Sequence, residues 1–142
     1  MCKIAININE LSIVDLPENT FAERLKKARL LANLSQFELS KLSCLSRSTI
    51  NDLECNYRDE LTLDTLNKLL NILDKNVLCD EYCLFILNQK ENIDNLMNKY
   101  SVNEICKNLN IQKSTLYRWK NTEYQVKRKY FLQIKNMLKA RA

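Results

Sequence analysis

The chain contains no glycine and no histidine, and Pro17 is its single proline. At ordinary glycine usage of about 7%, a chain of this length would hold roughly ten glycines. The Walker A phosphate loop and the dinucleotide-binding fingerprint both need glycine where the backbone meets phosphate, so both are excluded. Without histidine, the commonest general base and metal ligand is missing. These absences exclude the common types of enzyme. Because the sequence also shows no nucleophile–base or metal-ligand constellation, it predicts no enzyme activity, no cofactor and no metal site.

Long hydrophobic runs are also absent, since none reaches the roughly 20 residues of a membrane-spanning helix. The start, "MCKIAININELSIV", lacks the uninterrupted apolar core of a secretory signal. We therefore expect a cytoplasmic protein with no membrane partner, whose six cysteines are reduced. Cys79 and Cys83 lie four residues apart, but such a pair without histidine is a weak zinc signal. Buried, apolar cysteines are the preferred interpretation.

Charge is distributed unevenly along the chain. Residues 1–76 contain 10 basic and 11 acidic residues, whereas residues 77–142 contain 12 basic and 6 acidic ones. From Gln112 onward, Glu123 alone opposes nine basic residues. A basic C-terminal half suits an anionic partner, although a solvated helix face would give the same charge run.

Apolar residues recur at helical spacing along most of the chain, which predicts an all-α fold. The start differs, because Ile4, Ile6 and Ile8 alternate with other residues and predict a short strand or extended arm within residues 1–19. Pairing of this arm between two chains would give a homodimer. Without glycine, helix ends are expected to use asparagine, which tolerates the left-handed conformation. Asparagines stand where segments break, at Asn33, Asn56, Asn76 and Asn110.

The chain repeats itself at an offset of 66 residues, most visibly where "RSTI" at 47–50 is echoed by "KSTL" at 113–116. Ser35 and Glu38 also match Ser101 and Glu104, and each pair has the spacing of a helix capping box. Each copy has a capped short helix, a turn of three to four residues and a second short helix, which is the helix-turn-helix arrangement. The alternative is that both copies are ordinary helix pairs of an all-helical bundle.

Residues 20–74, and above all "LSQFELSKLSCLSRSTINDLE", resemble the lambda Cro/repressor family of helix-turn-helix domains, also called XRE-like. The resemblance implies a five-helix bundle whose third helix enters the DNA major groove. It also implies a structural pair between Arg29 and Glu54, while Cys44 stands at a turn position usually held by glycine. The DNA-contacting residues that it implies in this first unit are Gln36, Arg47, Ser48, Thr49, Asn51, Asp52, Tyr57 and Arg58.

Residues 101–121 are similar to the compact helix-turn-helix of resolvase and transposase DNA-binding regions. In this second unit Trp119 is expected to face inward, at the position that corresponds to Leu53 in the first copy. The residues that would face DNA or its phosphates are Ser101, Lys113, Ser114, Thr115, Tyr117, Arg118, Lys120, Lys127 and Arg128.

The sequence therefore predicts an arm over residues 1–19, a Cro/repressor-like domain over 20–76, a connecting helix over 77–90 and a second basic helix-turn-helix domain over 91–142. The predicted function is that of a sequence-specific regulator that binds double-stranded DNA and represses transcription by occupying an operator. An alternative is an antitoxin or protein-interaction regulator whose DNA binding is autoregulatory. In that case the near-neutral first half and the apolar segment 77–87 would serve a protein partner.

Overall fold

A computed structural model of the chain describes residues 13–57 and 61–140, and these residues are helical and contain no strand. The all-α prediction is confirmed. The predicted arm around Ile4, Ile6 and Ile8 lies outside the described residues, as does Arg58. The α-helices are α1 (Phe21–Leu31), α2 (Gln36–Ser43), α3 (Arg47–Glu54), α4 (Leu63–Leu70), α5 (Lys75–Leu78), α6 (Glu81–Leu87), α7 (Gln89–Lys99), α8 (Val102–Leu109), α9 (Lys113–Lys120) and α10 (Arg128–Ala140).

The chain divides into two compact units, Met1–Asp80 and Glu81–Ala142. The first unit contains α1 to α5, which is the five-helix count implied by the Cro/repressor resemblance, preceded by a 3₁₀ turn at Ile13–Asp15. Helix α1 packs against that turn, α3 and α5. The largest completely buried side chains of this core are Leu25, Leu39, Ile50, Leu66, Leu69 and Leu78.

Side-chain hydroxyls cap helices α1 to α4 of the first unit. The capping box is present, since Ser35 Oγ accepts from Glu38 N at 3.0 Å and Glu38 Oε1 accepts from Ser35 N at 3.1 Å. Ser46 caps α3 and Thr62 caps α4 by a single bond, in which the side-chain hydroxyl accepts from the backbone N–H three residues later. Each such cap stabilises its helix by about 1 kcal/mol relative to alanine.

The second unit contains α6 to α10, and α10 packs against α6, α7 and α8. Its completely buried side chains include Ile93, Leu96, Ile105, Leu116 and Ile134. Phe131 on α10 meets the rings of Tyr82 and Phe85 edge-on, with centroids 5.6 and 5.3 Å away. The apolar residues of α6 thus form part of the core of the second unit.

The structure differs from the predicted connecting helix over 77–90. Parts of three helices cover this segment: the end of α5, all of α6 and the start of α7. Cys79, between α5 and α6, has an extended backbone with φ −82° and ψ 123°. The carbonyls of Val77 and Cys79, which a continuous helix would use in its own ladder, accept from Arg24 Nη1 at 3.0 and 3.2 Å. The segment is therefore divided, and its two parts belong to different units.

The repeat seen in the sequence is a repeat of structure, residue for residue. Helices α2 and α8 have eight residues each and are related by the offset of 66, and so are α3 and α9. Each pair has a left-handed residue in its turn, Cys44 with φ 61° and Asn110 with φ 54°. Each second helix is also followed by a left-handed residue, Asn56 or Thr122, both with φ 59°. The correspondence therefore continues past the last residues that are identical in the two copies.

Three of the four asparagines expected at helix ends are left-handed, namely Asn33, Asn56 and Asn110. Asn76 differs, because it lies inside α5, where its N–H donates to Asp74 Oδ1 at 3.0 Å. Among the described residues, asparagine therefore takes three of the five positions with positive φ, where glycine is the usual residue.

Candidate DNA-binding surfaces

Helix α3 has one buried face and one exposed face. Ile50 and Leu53 are buried against the rest of the first unit. At 3.6 residues per turn, the residues two positions before and after Ile50 lie about 200° around the helix from it. These residues are Ser48, which is exposed, and Asp52, which is half-buried. Arg47 is exposed as well, so this helix presents a polar edge with one positive and one negative side chain.

Hydroxyl groups gather at the beginning of α3. Ser46 Oγ lies 3.1 Å from Ser48 Oγ and 2.7 Å from Thr49 Oγ1, and it accepts from Thr49 N at 3.1 Å. Thr49 and Asn51 are half-buried, Gln36 at the start of α2 is half-buried, and Tyr57 beyond α3 is exposed. All the predicted contact residues of this unit that the structure describes thus retain solvent-accessible surface.

A buried ion pair fixes α3 to α1, as the resemblance implied. Arg29 Nε and Nη2 donate to the two carboxylate oxygens of Glu54 at 2.7 and 3.0 Å. Arg29 Nη1 also donates to Leu34 O at 2.9 Å. Arg29 and Glu54 are only 8% and 5% exposed. Because Glu54 is the last residue of α3, this bidentate contact sets the position of the helix end.

Helix α9 has the corresponding faces in the second unit. Leu116 and Trp119 are buried, and Trp119 packs on Tyr130 with ring centroids 5.2 Å apart. Ser114 and Arg118 lie on the side opposite Leu116 and are exposed. Lys113, Tyr117, Lys127 and Arg128 are exposed too, whereas Thr115 and Lys120 are half-buried.

Ser101 caps α8, so its contribution is structural at the least. Its Oγ accepts from Glu104 N at 3.2 Å and donates to Glu104 Oε1 at 3.2 Å. The N-terminus of α9 differs from that of α3, because Gln112 stands at the cap position and makes no side-chain cap bond. Gln112 therefore does not take the part in α9 that the Ser46 hydroxyl takes at the start of α3.

The loop after α9, residues 121–127, is held by hydrogen bonds from Gln89 and Tyr82, whereas the sequence marked only Lys127 within it. Gln89 is buried, and its Nε2 donates to Trp119 O at 3.0 Å and to Tyr124 O at 2.8 Å, while its Oε1 accepts from Val126 N at 2.8 Å. Tyr82 OH donates to Val126 O at 2.6 Å. These bonds join residues 30 or more positions apart, so no local pattern could reveal them.

Two of the predicted DNA-contacting arginines lie over tyrosine rings. The guanidinium carbon of Arg118 is 4.9 Å from the ring centroid of Tyr124, and Arg118 Nη1 donates to Tyr124 OH at 3.0 Å. The guanidinium carbon of Arg128 is 4.4 Å from the ring centroid of Tyr82. Both contacts have the geometry of a cation–π interaction.

Neither a metal site nor a membrane-spanning helix occurs in the part of the chain that the structure describes. No group of three or more Cys, Asp or Glu side chains there could hold a metal ion. Likewise, no helix in residues 13–57 or 61–140 has the length and apolar character needed to cross a membrane.

A comparison with protein-family models supports the assignment of the first unit. A model described as helix-turn-helix matches residues 25–78, a range that includes α2, α3 and the Arg29–Glu54 pair. Searches of curated proteins and of solved structures gave no match. The second unit lies beyond the matched range, so its resemblance to resolvase and transposase regions stays a prediction. Residues 25–78 are therefore an XRE-family helix-turn-helix domain, and domains of this family bind double-stranded DNA.

Proposed function

We propose that the chain is a sequence-specific transcriptional repressor that applies both helix-turn-helix units to double-stranded DNA. The observation that carries this proposal is the structural repeat. The helix-turn-helix pair of the XRE-family domain recurs 66 residues later with the same helix lengths and the same two left-handed positions. Because α9 has an exposed polar face where α3 has one, both are proposed as recognition helices, lying in the major groove.

The recognition helix of the first unit, α3, would read bases with Arg47, Ser48 and Asp52. An arginine at this position can bond the O6 and N7 of guanine with two N–H groups, worth about 1–3 kcal/mol of discrimination. Asp52 would accept from the exocyclic amine of cytosine. Thr49 and Asn51 lie at the sides of the helix, where the DNA backbone would pass, and Gln36 would support a phosphate contact.

The second unit would contribute most of the electrostatic attraction to DNA. Residues 81–142 contain 12 basic and 5 acidic residues, whereas residues 1–80 contain 10 basic and 12 acidic ones. Release of counterions from DNA drives binding in proportion to the number of phosphates neutralised. Arg118 would read bases, and lysines at 113, 120 and 127 would contact phosphates, which position the protein without specifying sequence.

Repression would follow from occupancy, because a protein bound over a promoter excludes polymerase from the same DNA. The alternative of an antitoxin or protein-interaction regulator was motivated by the apolar segment 77–87. In the structure most of these side chains are buried within their own units, among them Leu78, Tyr82 and Phe85, although Leu84 is 44% exposed. Core packing therefore accounts for the apolar character of residues 77–87. Recovery of a stoichiometric small protein in a pull-down would favour the alternative.

Selection of bound sequences from random DNA tests the proposal. The full-length chain would be compared with an Arg47→Ala/Ser48→Ala variant and a Ser114→Ala/Arg118→Ala variant, both of which alter exposed side chains. We expect the unaltered chain to select two sequence elements, and each variant to lose a different one. If all three proteins select the same sequence, or none, the proposal is wrong.

The two arginines should differ in importance. We expect Arg118→Ala to weaken binding to the selected site more than Arg47→Ala, because the second unit has the stronger positive field. Loss of a bidentate guanine contact is worth about 1–3 kcal/mol, or roughly 5- to 150-fold in affinity. Gel-shift titrations of both variants measure the difference, and the reverse order would contradict it.

A further inference from the structure

Tyr124 is a large aromatic residue that contributes little to the core. It is 53% exposed, and its ring lies against the Arg118 guanidinium, which also donates to its hydroxyl. Both the ring contact and the hydrogen bond join the Tyr124 side chain to the Arg118 guanidinium. They hold Arg118, an exposed residue on the outward face of α9, in one orientation.

The backbone of Tyr124 is fixed although its ring is not buried. Its carbonyl accepts from Gln89, and the same buried Gln89 side chain binds Trp119 O at the end of α9 and Val126 N. Tyr82 OH holds the carbonyl of Val126 on the other side. The loop is thus attached directly to the last turn of α9, so the distance from Tyr124 to Arg118 is set by buried hydrogen bonds.

We propose that Tyr124 is a positioning residue for base recognition by the second unit, and that it sets the strength of discrimination at the base pair that Arg118 reads. This inference rests on the proposed role of α9 as a recognition helix. A free arginine side chain has many rotamers, and ordering it on binding costs affinity. An arginine already held by a ring and a hydroxyl loses less freedom when it meets a base.

The contact with Tyr124 leaves Arg118 able to bind DNA. A guanidinium has five N–H groups, and the bond to Tyr124 uses one of them. A bidentate contact to guanine needs two N–H groups on one edge of the fork. In the first unit the residue equivalent to Arg118 is Asp52, so the arrangement is specific to the second unit.

The test compares Tyr124→Ala, Tyr124→Phe and Arg118→Ala in the full-length chain. Phe37→Ala is the matched control, because Phe37 is an exposed aromatic residue of the first unit whose ring also lies near a cation, Lys41 Nζ. Arg118→Ala first identifies the base pair that depends on this arginine. Discrimination is then measured as the ratio of affinities for the selected site and for sites changed at that pair or at other pairs. Thermal unfolding checks that each variant is folded.

We expect Tyr124→Ala to lower discrimination at the Arg118-dependent base pair by roughly three- to tenfold, the combined effect of losing a cation–π contact and a hydrogen bond. Tyr124→Phe keeps the ring and should give a smaller loss, and Phe37→Ala should leave this base pair unaffected. In the Arg118→Ala background, Tyr124→Ala should cause no further loss there.

Three outcomes would overturn the inference. Unchanged discrimination in Tyr124→Ala would show that Arg118 needs no support, and increased affinity would show that the ring holds the arginine away from DNA. Equal losses at every base pair would indicate a structural effect alone. If Arg118→Ala changes no base preference at all, the recognition role proposed for α9 is wrong as well. The Arg118→Ala result therefore distinguishes a failure of the Tyr124 inference alone from a failure of the proposed function.

Discussion

At the scale of single residues, a chain without glycine must place other residues at positive φ. Asparagine takes three of these positions among the described residues, whereas Cys44 and Thr122 take two more. A left-handed conformation costs about 1–2 kcal/mol for an ordinary L-residue, and asparagine reduces that cost by local hydrogen bonding. Threonine is β-branched and is unfavourable there. Thr122 is therefore a position where the fold retains conformational strain.

Replacing Thr122 by asparagine should stabilise the second unit by about 1 kcal/mol, because asparagine tolerates the left-handed region better. Trp119, the single tryptophan, is buried in this unit, so its fluorescence during urea unfolding reports the change. The reciprocal variant, Asn56→Thr, places threonine at the equivalent position of the first unit and should destabilise by a similar amount, measured by circular dichroism. An unchanged or lower midpoint for Thr122→Asn would contradict the prediction.

The ion pair of Arg29 and Glu54 should be costly to break from one side. We expect Glu54→Gln to destabilise the first unit by about 3–5 kcal/mol, because it leaves the buried Arg29 charge without its counter-ion. A double variant, Arg29→Met/Glu54→Leu, removes both charges and should recover most of that loss. Thermal and urea unfolding of the three proteins test this expectation. A double variant no more stable than Glu54→Gln would indicate that the pair itself stabilises the fold.

At the scale of elements, the 3₁₀ turn at Ile13–Asp15 is attached to α1 by one lysine. Lys27 is buried to 7% exposure, donates to Val14 O at 2.8 Å and pairs with Glu18. The hydrogen bond from Lys27, and then its charge, hold the pKa of Glu18 below its ordinary value of 4.5. Burial opposes this, and Arg24 makes the smallest contribution to lowering the pKa. The contact between Lys27 and Glu18, one part of this attachment, therefore depends on an ionised Glu18.

This attachment should weaken in acid. The folded-state pKa of Glu18 is below its unfolded value, so its contribution to stability is complete above the unfolded pKa and is lost as pH falls through the folded pKa. The difference in unfolding midpoint between the unaltered chain and Glu18→Gln should shrink over that range. Lys27→Gln removes the group that lowers the pKa of Glu18. The difference in unfolding midpoint between Lys27→Gln and the double variant Lys27→Gln/Glu18→Gln should therefore depend less on pH. A difference independent of pH in the unaltered chain would contradict the prediction.

Elements fixed by nearby residues could be predicted from the sequence, and those fixed by distant residues could not. The Ser35–Glu38 capping box and the Ser46 cap are visible because all their partners lie within three positions. The break at Cys79 depends on Arg24, more than 50 positions away. The Gln89 bonds to the loop after α9 are similarly distant. The candidate faces of α3 and α9 were thus predictable, but the ring beneath Arg118 was not.

At the scale of the whole molecule, the charge difference between the two units predicts how binding responds to salt. Each lost phosphate contact should reduce the slope of log affinity against log salt by about 0.9. Lys127 is exposed and follows the loop after α9, so it is proposed as one such contact. We expect Lys127→Gln to lower the slope by about one and to weaken all DNA sequences alike.

Lys75→Gln provides the control, since Lys75 is an exposed lysine of α5, outside both helix-turn-helix pairs. Its slope should equal that of the unaltered chain. Equal slopes for Lys127→Gln and the unaltered chain, measured by fluorescence anisotropy over a range of salt, would remove Lys127 from the proposed interface.

The boundary after Asp80 also bears on how the protein is made. Domains generally fold as units during synthesis, the N-terminal one first. Helices α2 and α8 follow the same pattern, as do α3 and α9, so an unfolded chain offers each first helix two candidate partners. Vectorial synthesis lets α2 bury Ile50 of α3 before α9 has left the ribosome. Refolding of the complete chain from denaturant lacks that order, and exchange of helices between the copies is the misfolded state that the repeat most favours.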